Sequence, residues 1–380
     1  MAADLTSLAA QFHAWTDERA AELAVFRHEH PSSVSDRLEL GRGLMALLAA
    51  DGWSLRGWPE DVGGSGGDIR ERAVLYDQLE GAGIGVPEQF TVIETVGPAV
   101  IRFAPTLAKE LLLPYLRGEE LWCQGFSEPE AGSDLASLRC RAVPTGGGFL
   151  VSGQKIWSSY GHLADRMVAL VRTGSAESRH RGLTMLMVDL SGPGITRRPI
   201  RLANGEEELS EVFFDDAPVA GSSLIGEVDK GWSVAMYLLQ FERGMYAWLR
   251  MARLRGRLAR LARRVDPADP IGCREVGRAL AAQRALRART WHTIARLAEG
   301  ETPGPETSVD KVLLATAEQA VADAARAVDL AAFTFATEDL DDARSEWFYT
   351  RAASIYGGSA EVQRSILADH VLKLPSEGKA

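Results

Sequence analysis

Three successive patterns along the chain constrain its fold more than any single motif does. Apolar residues recur at helical spacing up to Gly118. Short apolar runs follow from about residue 120 to 225, clearest at Met167–Val171 and Thr184–Leu190, and helical spacing returns from Lys230. The chain therefore predicts a helical domain over residues 1–119, an antiparallel β module over 120–226 and a second helical domain over 227–380. In the last domain, an apolar stripe from Val321 to Phe335 indicates a buried helix face.

Composition and charge exclude several classes of function. The 380 residues are 46% hydrophobic and suffice for a large buried core, and the formal net charge of −10 disfavours a nucleic-acid partner, which needs clustered basic surface. No apolar run reaches the length of a membrane span, and the N-terminus lacks a basic segment followed by an apolar core. We expect a cytoplasmic protein with neither a nucleic-acid nor a membrane partner.

The cysteines and histidines indicate no disulfide or metal chemistry. Cys123, Cys140 and Cys273 are odd in number and form no Cys-x-x-Cys pair, which fits a reducing compartment. His28 and His30 lie two positions apart without an evident third ligand. An exposed helix end is the better interpretation of this pair, and we expect no metal site.

Two short stretches in the β module carry the residues of a candidate ligand site. Ser127-Glu-Pro-Glu-Ala-Gly-Ser-Asp134 is rich in turn-forming residues and offers hydroxyls beside exposed backbone amides. Gly153-Gln-Lys-Ile-Trp-Ser-Ser159 places an aromatic plate beside two hydroxyls. This chemistry suits a flat ligand with a polar edge. On residue types alone, a hairpin whose tryptophan fills the core is the simpler alternative.

Together with a third stretch, these two resemble a known family. Ser127 to Asp134, followed by Gly153-x-Lys-x-Trp-x-Ser159, resembles the paired signature of the acyl-CoA dehydrogenase flavoproteins. Ile355-Tyr-Gly-Gly-Ser-Ala-Glu-Val-Gln-Arg364 resembles their C-terminal signature. The resemblance implies an α+β fold with an N-terminal helical domain, a middle antiparallel β-barrel and a C-terminal four-helix bundle. It also implies an FAD-dependent enzyme that removes a proton from Cα and a hydride from Cβ of an acyl thioester.

The resemblance assigns roles to individual residues. The residues expected to bind the flavin are Gln124, Phe126, Ser127, Gly132, Ser133, Trp157, Ser159, Gly358 and Ser359. Among these, Ser127 and Ser159 would hydrogen-bond the ring edge, and Trp157 would pack on the ring. The residues expected to bind the substrate are Ser133, Arg243 and Tyr356.

The general base lies at an unusual position. Most members of the family carry a glutamate directly after the tyrosine of the C-terminal signature, where this chain has Gly357. A minority carry it on an earlier helix, immediately before an arginine. Gln240-Phe-Glu-Arg243 matches that pattern, so the resemblance implies Glu242 as the base. An ion-paired surface carboxylate is the plain alternative. The backbone N–H of Gly357, together with a flavin hydroxyl, would form the oxyanion hole.

Partners and assembly are not fixed by the sequence. The resemblance implies an acyl-CoA or acyl-carrier-protein substrate, an electron-transfer flavoprotein as electron acceptor, and a homodimer or homotetramer. The family segments that grip the adenine half of FAD across a subunit interface are missing at residues 260–275 and 335–345, so a hetero-oligomer is the alternative. Oxidation at another carbon is a further alternative.

One predicted helix is unusually basic, since residues 250–264 contain seven arginines. The simpler interpretation is a solvated helix face that alternates with Leu254, Leu258 and Leu261. The functional alternatives are a patch for CoA phosphates, for an acidic carrier protein or for a partner subunit.

Overall fold

The computed structural model describes residues 4–28, 31, 33–335 and 341–375 of the chain. Its N-terminal helices are α1 (Leu5–Glu18), α2 (Ala20–His28), α3 (Val34–Ala50), α4 (Ile69–Gly81), α5 (Gln89–Phe103) and α6 (Pro105–Leu116). Asp4, Ser33 and Asp68 cap α1, α3 and α4, because their side chains accept backbone N–H groups that a helix start leaves unpaired. A glycine-rich loop then leads from α4 into α5.

The described residues of the middle part form one eight-stranded sheet. Its strands are β1 (Trp122–Gly125), β2 (Arg141–Thr145), β3 (Gly148–Ser159), β4 (Arg166–Arg172), β5 (Leu183–Asp189), β6 (Ile195–Ile200), β7 (Leu209–Ala220) and β8 (Leu224–Ile225). The hydrogen-bonded order is β6-β7-β3-β2-β4-β5-β8, with β1 added beside β4. The continuous apolar runs of β4 and β5 are buried along most of their length, as expected for strands covered on both faces.

The sheet is not the closed antiparallel barrel that the resemblance implied. Across the described strands, the order runs from β6 at one edge to β8 at the other, and no pairing joins the two edges. β1 also pairs with β4 in parallel, and Arg141 of β2 pairs in parallel with Arg172 of β4. The parallel pairing of β1 arises because the β2–β3 hairpin lies between β1 and β4 in the chain, so the connection crosses over.

Helices resume at α7 (Gly231–Phe241), which continues through a π-helical turn at Glu242–Tyr246 into α8 (Ala247–Arg264). The remaining helices are α9 (Pro270–Ala298), α10 (Ser308–Val328), α11 (Leu330–Phe335), α12 (Asp341–Thr350) and α13 (Ala360–Ile366). The three long helices α8, α9 and α10 pack on one another, and α12 and α13 pack on α10. The predicted stripe is interrupted after Val328, where α10 ends, and Phe335 on α11 is 79% exposed.

Buried tryptophans join the parts of the molecule. Trp58 follows α3, Trp122 lies in β1 and Trp248 lies in α8, and none is more than 2% exposed. The indole N–H of Trp248 donates to the carbonyl of Ala73 in α4 at 2.8 Å, which fixes α8 against the N-terminal helices.

The predicted order of a helical region, a sheet domain and C-terminal helices is confirmed.

Candidate active site

A buried ion pair holds the two signature stretches of the sheet domain together. Lys155 in β3 is fully buried, and its Nζ donates to Glu128 Oε1 at 2.7 Å and to the carbonyl of Phe126 at 3.1 Å. Glu128 also accepts the backbone N–H groups of Arg139 and Cys140 at 2.6 and 2.9 Å. Buried charges are tolerated only with such a set of partners. The glutamate of the first stretch and the lysine of the second therefore have a structural role.

Beyond this ion pair, Trp157 faces solvent. The N–H of Ile156 donates to the carbonyl of Ser127 at 3.0 Å, which sets the two stretches side by side. The register between β3 and β7 then shifts between Lys155 and Ser158, so Trp157 lies in an irregularity of the strand with a φ of 62° and is 55% exposed. A bulge re-aims a side chain, and a left-handed tryptophan is uncommon. The indole is available as one face of a ligand site.

The two serines that follow have contrasting environments. Ser158 is 1% exposed, and its Oγ has no hydrogen-bond partner among the described residues. An orphaned buried hydroxyl is costly unless a ligand or water satisfies it. Ser159 is half-buried, and its Oγ donates to Glu208 Oε1 at 3.3 Å. One unsatisfied polar atom thus stands beside an exposed aromatic ring, which fits the polar edge and flat face of a flavin.

The other predicted flavin residues of the sheet domain differ in exposure. Those that are buried or partly buried are Gln124, Phe126 and Ser127. Gly132 and Ser133 are exposed at the tip of the signature loop. An ion pair between Asp134 and Arg179 at 2.7 Å anchors this tip. The loop therefore presents the Ser133 hydroxyl and its backbone groups outward, whereas Phe126, which precedes the loop, belongs to the core.

Glu242 and Gly357 lie against each other. A Cβ built on Gly357 would be 2.6 Å from Glu242 Oε1, so the glutamate carboxylate fills the space that a side chain at position 357 would need. Gly357 has a φ of 62°, a conformation that favours glycine. Glu242 begins the π-helical turn, a feature that often marks functional sites. The glycine is therefore the residue that allows the carboxylate to stand here.

The surroundings of Glu242 tune its proton affinity. Burial raises the pKa of Glu242, and the charges of Arg243 and Lys311 act in the opposite direction. Burial also lowers the pKa of Arg243 and of Lys311. The Nζ of Lys311 donates to the carbonyl of Ala353 at 2.6 Å and lies 4.3 Å from the centre of the Tyr356 ring. A carboxylate of raised proton affinity beside two cations has the properties of a general base.

Hydrogen bonds that the sequence did not predict link the two halves of the site. Glu208 Oε1 accepts from Ser159 Oγ and from the Tyr349 hydroxyl, both at 3.3 Å. Burial and the neighbouring charge of Glu88 raise the pKa of Glu208 to about 7. The Tyr349 ring in turn lies 6.0 Å, centre to centre, from the ring of Tyr356. No sequence signal marked Glu208, because it stands in a run of three glutamates without a motif around it.

The rest of the C-terminal signature forms a tight turn before α13. A Cβ on Gly358, whose φ is 93°, would collide with Gln363 Nε2. Gln363 is 1% exposed, and its Oε1 has no partner among the described residues. Ser359 caps α13 by accepting the N–H of Val362 at 3.4 Å. The turn therefore holds a second unsatisfied buried polar atom beside the glycine expected to approach the flavin.

A cavity of about 1470 Å³ lies between the sheet domain and α8. It reaches Ser159 and Glu208 in the sheet domain and Tyr246 at the end of the π-helical turn. Its wall along α8 consists of Arg250, Arg253, Arg257 and Arg260. These arginines recur every three or four residues and share one face of the helix. The interpretation of this stretch as a solvated face is therefore wrong for its inner end, where Arg250 is only 8% exposed.

Sequence comparisons identify the family. The profile of the acyl-CoA dehydrogenase middle domain matches residues 123–217, and that of the C-terminal domain matches residues 229–372. Acyl-CoA dehydrogenase IpdE1 of Mycobacterium tuberculosis (strain ATCC 25618 / H37Rv) is 36% identical over 384 residues, which cover 99% of each chain. The chain belongs to the acyl-CoA dehydrogenase family, and it is an FAD-dependent oxidoreductase.

Solved structures agree with this assignment. The structure described as Tcur3481-Tcur3483 steroid ACAD has a TM-score of 0.79 at 26% identity, covering 96% of this chain and 98% of its own. The ChsE4-ChsE5 complex from Mycobacterium tuberculosis has a TM-score of 0.76 at 23% identity and covers 99% of each chain, a likeness that shows the fold alone.

The described part of the chain contains neither a membrane-spanning helix nor a cluster of metal ligands. None of its helices combines the length and the apolar character that crossing a membrane requires. No group of three or more His, Cys, Asp or Glu side chains there is arranged to hold a metal ion. His30 and the side chain of His28 lie outside the described residues, as do residues 336–340 of the segment that lacks a family motif.

Proposed function

We propose that Glu242 is the general base of an acyl thioester dehydrogenase that introduces a double bond between Cα and Cβ and releases a 2-enoyl thioester. The observation that carries this proposal is the distance of 2.6 Å between Glu242 Oε1 and a Cβ built on Gly357. The carboxylate thus occupies the place of the residue that acts as base in most members of the family. Its burial supplies the raised proton affinity that removal of an α-proton needs.

The negative charge that develops on the thioester oxygen needs a hydrogen-bond donor. We assign this role to the backbone N–H of Gly357, which among the described residues donates to no backbone carbonyl. Lys311 adds a positive charge nearby, since its Cε would lie 3.3 Å from a Cβ on Gly357. Proton removal by Glu242 and stabilisation of the resulting enolate would then occur on the two sides of one small volume.

FAD, when bound, supplies the acceptor for the hydride that leaves Cβ. The groups of this chain that fit it are the exposed Trp157 indole, the unsatisfied Oγ of Ser158 and the unsatisfied Oε1 of Gln363. Ser127 and Ser159, expected at the ring edge, flank the same surface. We propose that these groups contact the bound FAD.

The test is anaerobic reduction of the flavin by acyl-CoA thioesters, followed as loss of the oxidised-flavin absorbance. Glu242→Gln keeps the shape of the side chain and removes the base, so we expect the reduction rate to fall by about 10²–10⁴-fold with FAD content unchanged. The matched control is Glu299→Gln, an exposed residue at the end of α9, which should reduce at the wild-type rate. A Glu242→Gln protein that is reduced as fast as the wild type would contradict the proposal.

The partners belong to the same proposal. We infer a cytoplasmic enzyme whose substrate is an acyl-CoA and whose electrons pass to an electron-transfer flavoprotein. An acyl group on a carrier protein is the alternative substrate, and oxidation at another carbon is the alternative reaction. Analysis of the product by NMR distinguishes the position of the double bond.

We further infer that the working enzyme is an oligomer. Large apolar side chains more than half exposed near the C-terminus are Leu330, Phe335, Ile355, Leu372 and Leu374. Exposed apolar groups of this size mark interaction surfaces. The solved ChsE4-ChsE5 complex has the same fold, so a hetero-oligomer is the alternative to a homodimer or homotetramer. Native mass and FAD content of the protein purified alone test this: about one FAD per chain in a homo-oligomer excludes an obligatory second chain.

A further inference from the structure

Two lysines are buried in the described part of the chain, and their surroundings differ. Lys155 has a counter-ion, because its Nζ donates to the Glu128 carboxylate at 2.7 Å as well as to the carbonyl of Phe126 at 3.1 Å. Lys311, on α10, is 5% exposed, and its Nζ donates to the carbonyl of Ala353 at 2.6 Å. Among the described residues, no carboxylate forms an ion pair with Lys311. A buried cation without a direct counter-ion costs stability, which indicates a role in function rather than in folding.

The carboxylate of Glu318, on the same helix, is committed to other groups. It accepts from Arg250 Nε at 2.5 Å and from the Tyr356 hydroxyl at 2.8 Å. The second of these bonds fixes the Tyr356 ring, whose centre lies 4.3 Å from the Lys311 Nζ. A ring face attracts a cation but does not neutralise its charge. The ring and the Ala353 carbonyl thus hold the ammonium in place without cancelling its charge.

Glu242 is the uncommitted carboxylate near this ammonium. Among the described residues, no group donates a hydrogen bond to it. A Cβ built on Gly357 would lie 2.6 Å from Glu242 Oε1 and 3.3 Å from Lys311 Cε. Oε1 and Cε are therefore at most about 5.9 Å apart, the sum of these two distances. Opposite charges at this spacing act on each other strongly in a buried setting, although no hydrogen bond joins them.

This spacing suits a base better than a direct ion pair would. An ammonium that donated to Glu242 would occupy an oxygen that must receive the α-proton, and it would lower the proton affinity of the carboxylate further. The hydrogen bond to Ala353 keeps the Lys311 Nζ out of that position. The positive charge still favours the ionised form of Glu242, against the burial that favours the protonated form.

Other charged and titratable groups surround this pair, either directly or through a neighbour. They are Arg243 on the π-helical turn, Arg250 on α8, Arg289 on α9, Asp310 and Glu318 on α10, and Tyr356 before α13. A variant that changes Lys311 alone leaves all of them in the chain. A change in the titration of the base in such a variant therefore reports the ammonium that was removed.

We propose that Lys311 is a positioning residue of the reaction centre, which holds the segment 353–357 in place and keeps Glu242 ionised for proton removal. This inference rests on the proposed function, because it concerns the same base. Only the ionised carboxylate can accept the α-proton, so the ammonium increases the fraction of enzyme that reacts at a given pH. The segment that Lys311 holds also carries the backbone N–H of Gly357, which we assign to the thioester oxygen.

The first experiment measures how pH affects anaerobic flavin reduction in the holoenzyme. The probe is whichever straight-chain thioester from butanoyl-CoA to palmitoyl-CoA reduces the wild type fastest, at a limiting concentration. Lys311→Met has a similar length and no charge, so the midpoint of the rate profile should move to higher pH. Below both midpoints the rate should fall by about tenfold or more. Lys109→Met, at an exposed position of α6, is the matched control and should keep the wild-type midpoint.

A lysine with only a structural role would change the rate or the melting temperature without moving the midpoint. An unchanged midpoint in Lys311→Met would therefore overturn the inference. Lys311→Arg keeps the positive charge, so its midpoint should stay near that of the wild type even where the larger side chain lowers the rate. A midpoint that moves equally in both variants would also overturn the inference. FAD content and melting temperature are recorded for every variant.

The second experiment reads the same coupling from the lysine and needs no turnover. The chain has six lysines, so labelling their Cε atoms with ¹³C gives few NMR signals, and either Lys311 variant identifies the one that belongs to Lys311. Coupling between two sites is reciprocal, so Glu242→Gln should lower the pKa of Lys311 in the holoenzyme. The same pKa for Lys311 in the wild type and in Glu242→Gln would overturn the inference.

The two proposals fail in different ways. If Glu242→Gln is reduced as fast as the wild type, the proposed function fails and the inference fails with it. If no thioester of the panel reduces the flavin, the proposed function fails for these esters, and the lysine titration alone decides whether Lys311 and Glu242 are coupled. Reduction that depends on Glu242, with a midpoint that does not respond to the charge at position 311, overturns only the inference.

Discussion

Replacing Gly357 with alanine should disable the enzyme while leaving it folded. The new Cβ would lie 2.6 Å from Glu242 Oε1, whereas ordinary van der Waals contact begins at 3.4 Å, so the carboxylate must retreat by about 0.8 Å, the difference of the two distances. Misplacement of a catalytic group by about 1 Å can cost about 10²-fold in rate. The positive φ of 62° adds a backbone strain of about 1–2 kcal/mol for a residue with a side chain.

We therefore expect the rate constant for anaerobic flavin reduction by a saturating thioester to fall by about 10²-fold, against a loss of only about 1–2 kcal/mol in the free energy of unfolding. Stopped-flow absorbance and chemical denaturation measure the two effects separately. Gly277→Ala is the matched control, because Gly277 lies exposed within α9 with nothing within 4 Å of a new Cβ. It should stabilise the helix by up to about 1 kcal/mol without changing the rate. A Gly357→Ala protein that reduces its flavin at the wild-type rate would refute the reasoning.

Three further predictions concern buried charges. Lys155→Met leaves Glu128 without the ammonium that lies 2.7 Å away, and should lower the free energy of unfolding by about 3–5 kcal/mol in chemical denaturation; an unchanged value would count against the role of this ion pair. The pKa of Glu208 is raised from 4.5 to about 7, so the folded state binds the proton of the Glu208 carboxyl group more tightly than the unfolded state does. The free energy of unfolding therefore falls as the pH rises from 4.5 to about 7. Glu208→Gln should thus raise the melting temperature more at about pH 8 than at about pH 5, and equal shifts at both would contradict this. Flavin reduction by a limiting thioester should accelerate as pH rises, with a midpoint above 4.5 because burial raises the pKa of Glu242, and a rate that does not depend on pH would argue against a titrating base.

The sequence predicted the elements that local patterning determines. The apolar runs at β4 and β5 are recognisable because these strands are buried on both faces, and the helices return where helical spacing returns. β6 carries Arg197 and Arg198 with little burial and has no such run. The closed barrel was wrong because strand pairing is a long-range property, and the parallel pairing of β1 with β4 depends on how the chain crosses over rather than on local sequence.

The candidate site likewise has residues that the sequence marks and residues that only the folded chain brings together. Glu242 and Gly357 are each recognisable from a motif, but their contact depends on how the helices pack. Glu208 has no motif, and it acquires significance only because the loop before β7, α8 and α12 line one cavity. The arginines of α8 seemed solvated in the sequence because charged residues usually are, and their carboxylate partners lie far away in the chain.

The most direct test of the account is whether Glu242 removes the α-proton. A thioester in which sulfur replaces Cβ retains its acidic Cα–H but has no β-hydrogen to transfer, so in D2O the holoenzyme reports proton removal alone. NMR follows the loss of the α-proton signal. The account predicts that the wild type catalyses this exchange and that Glu242→Gln slows it by about 10²-fold or more. Exchange at the same rate in both proteins would contradict the assignment of Glu242 as the base.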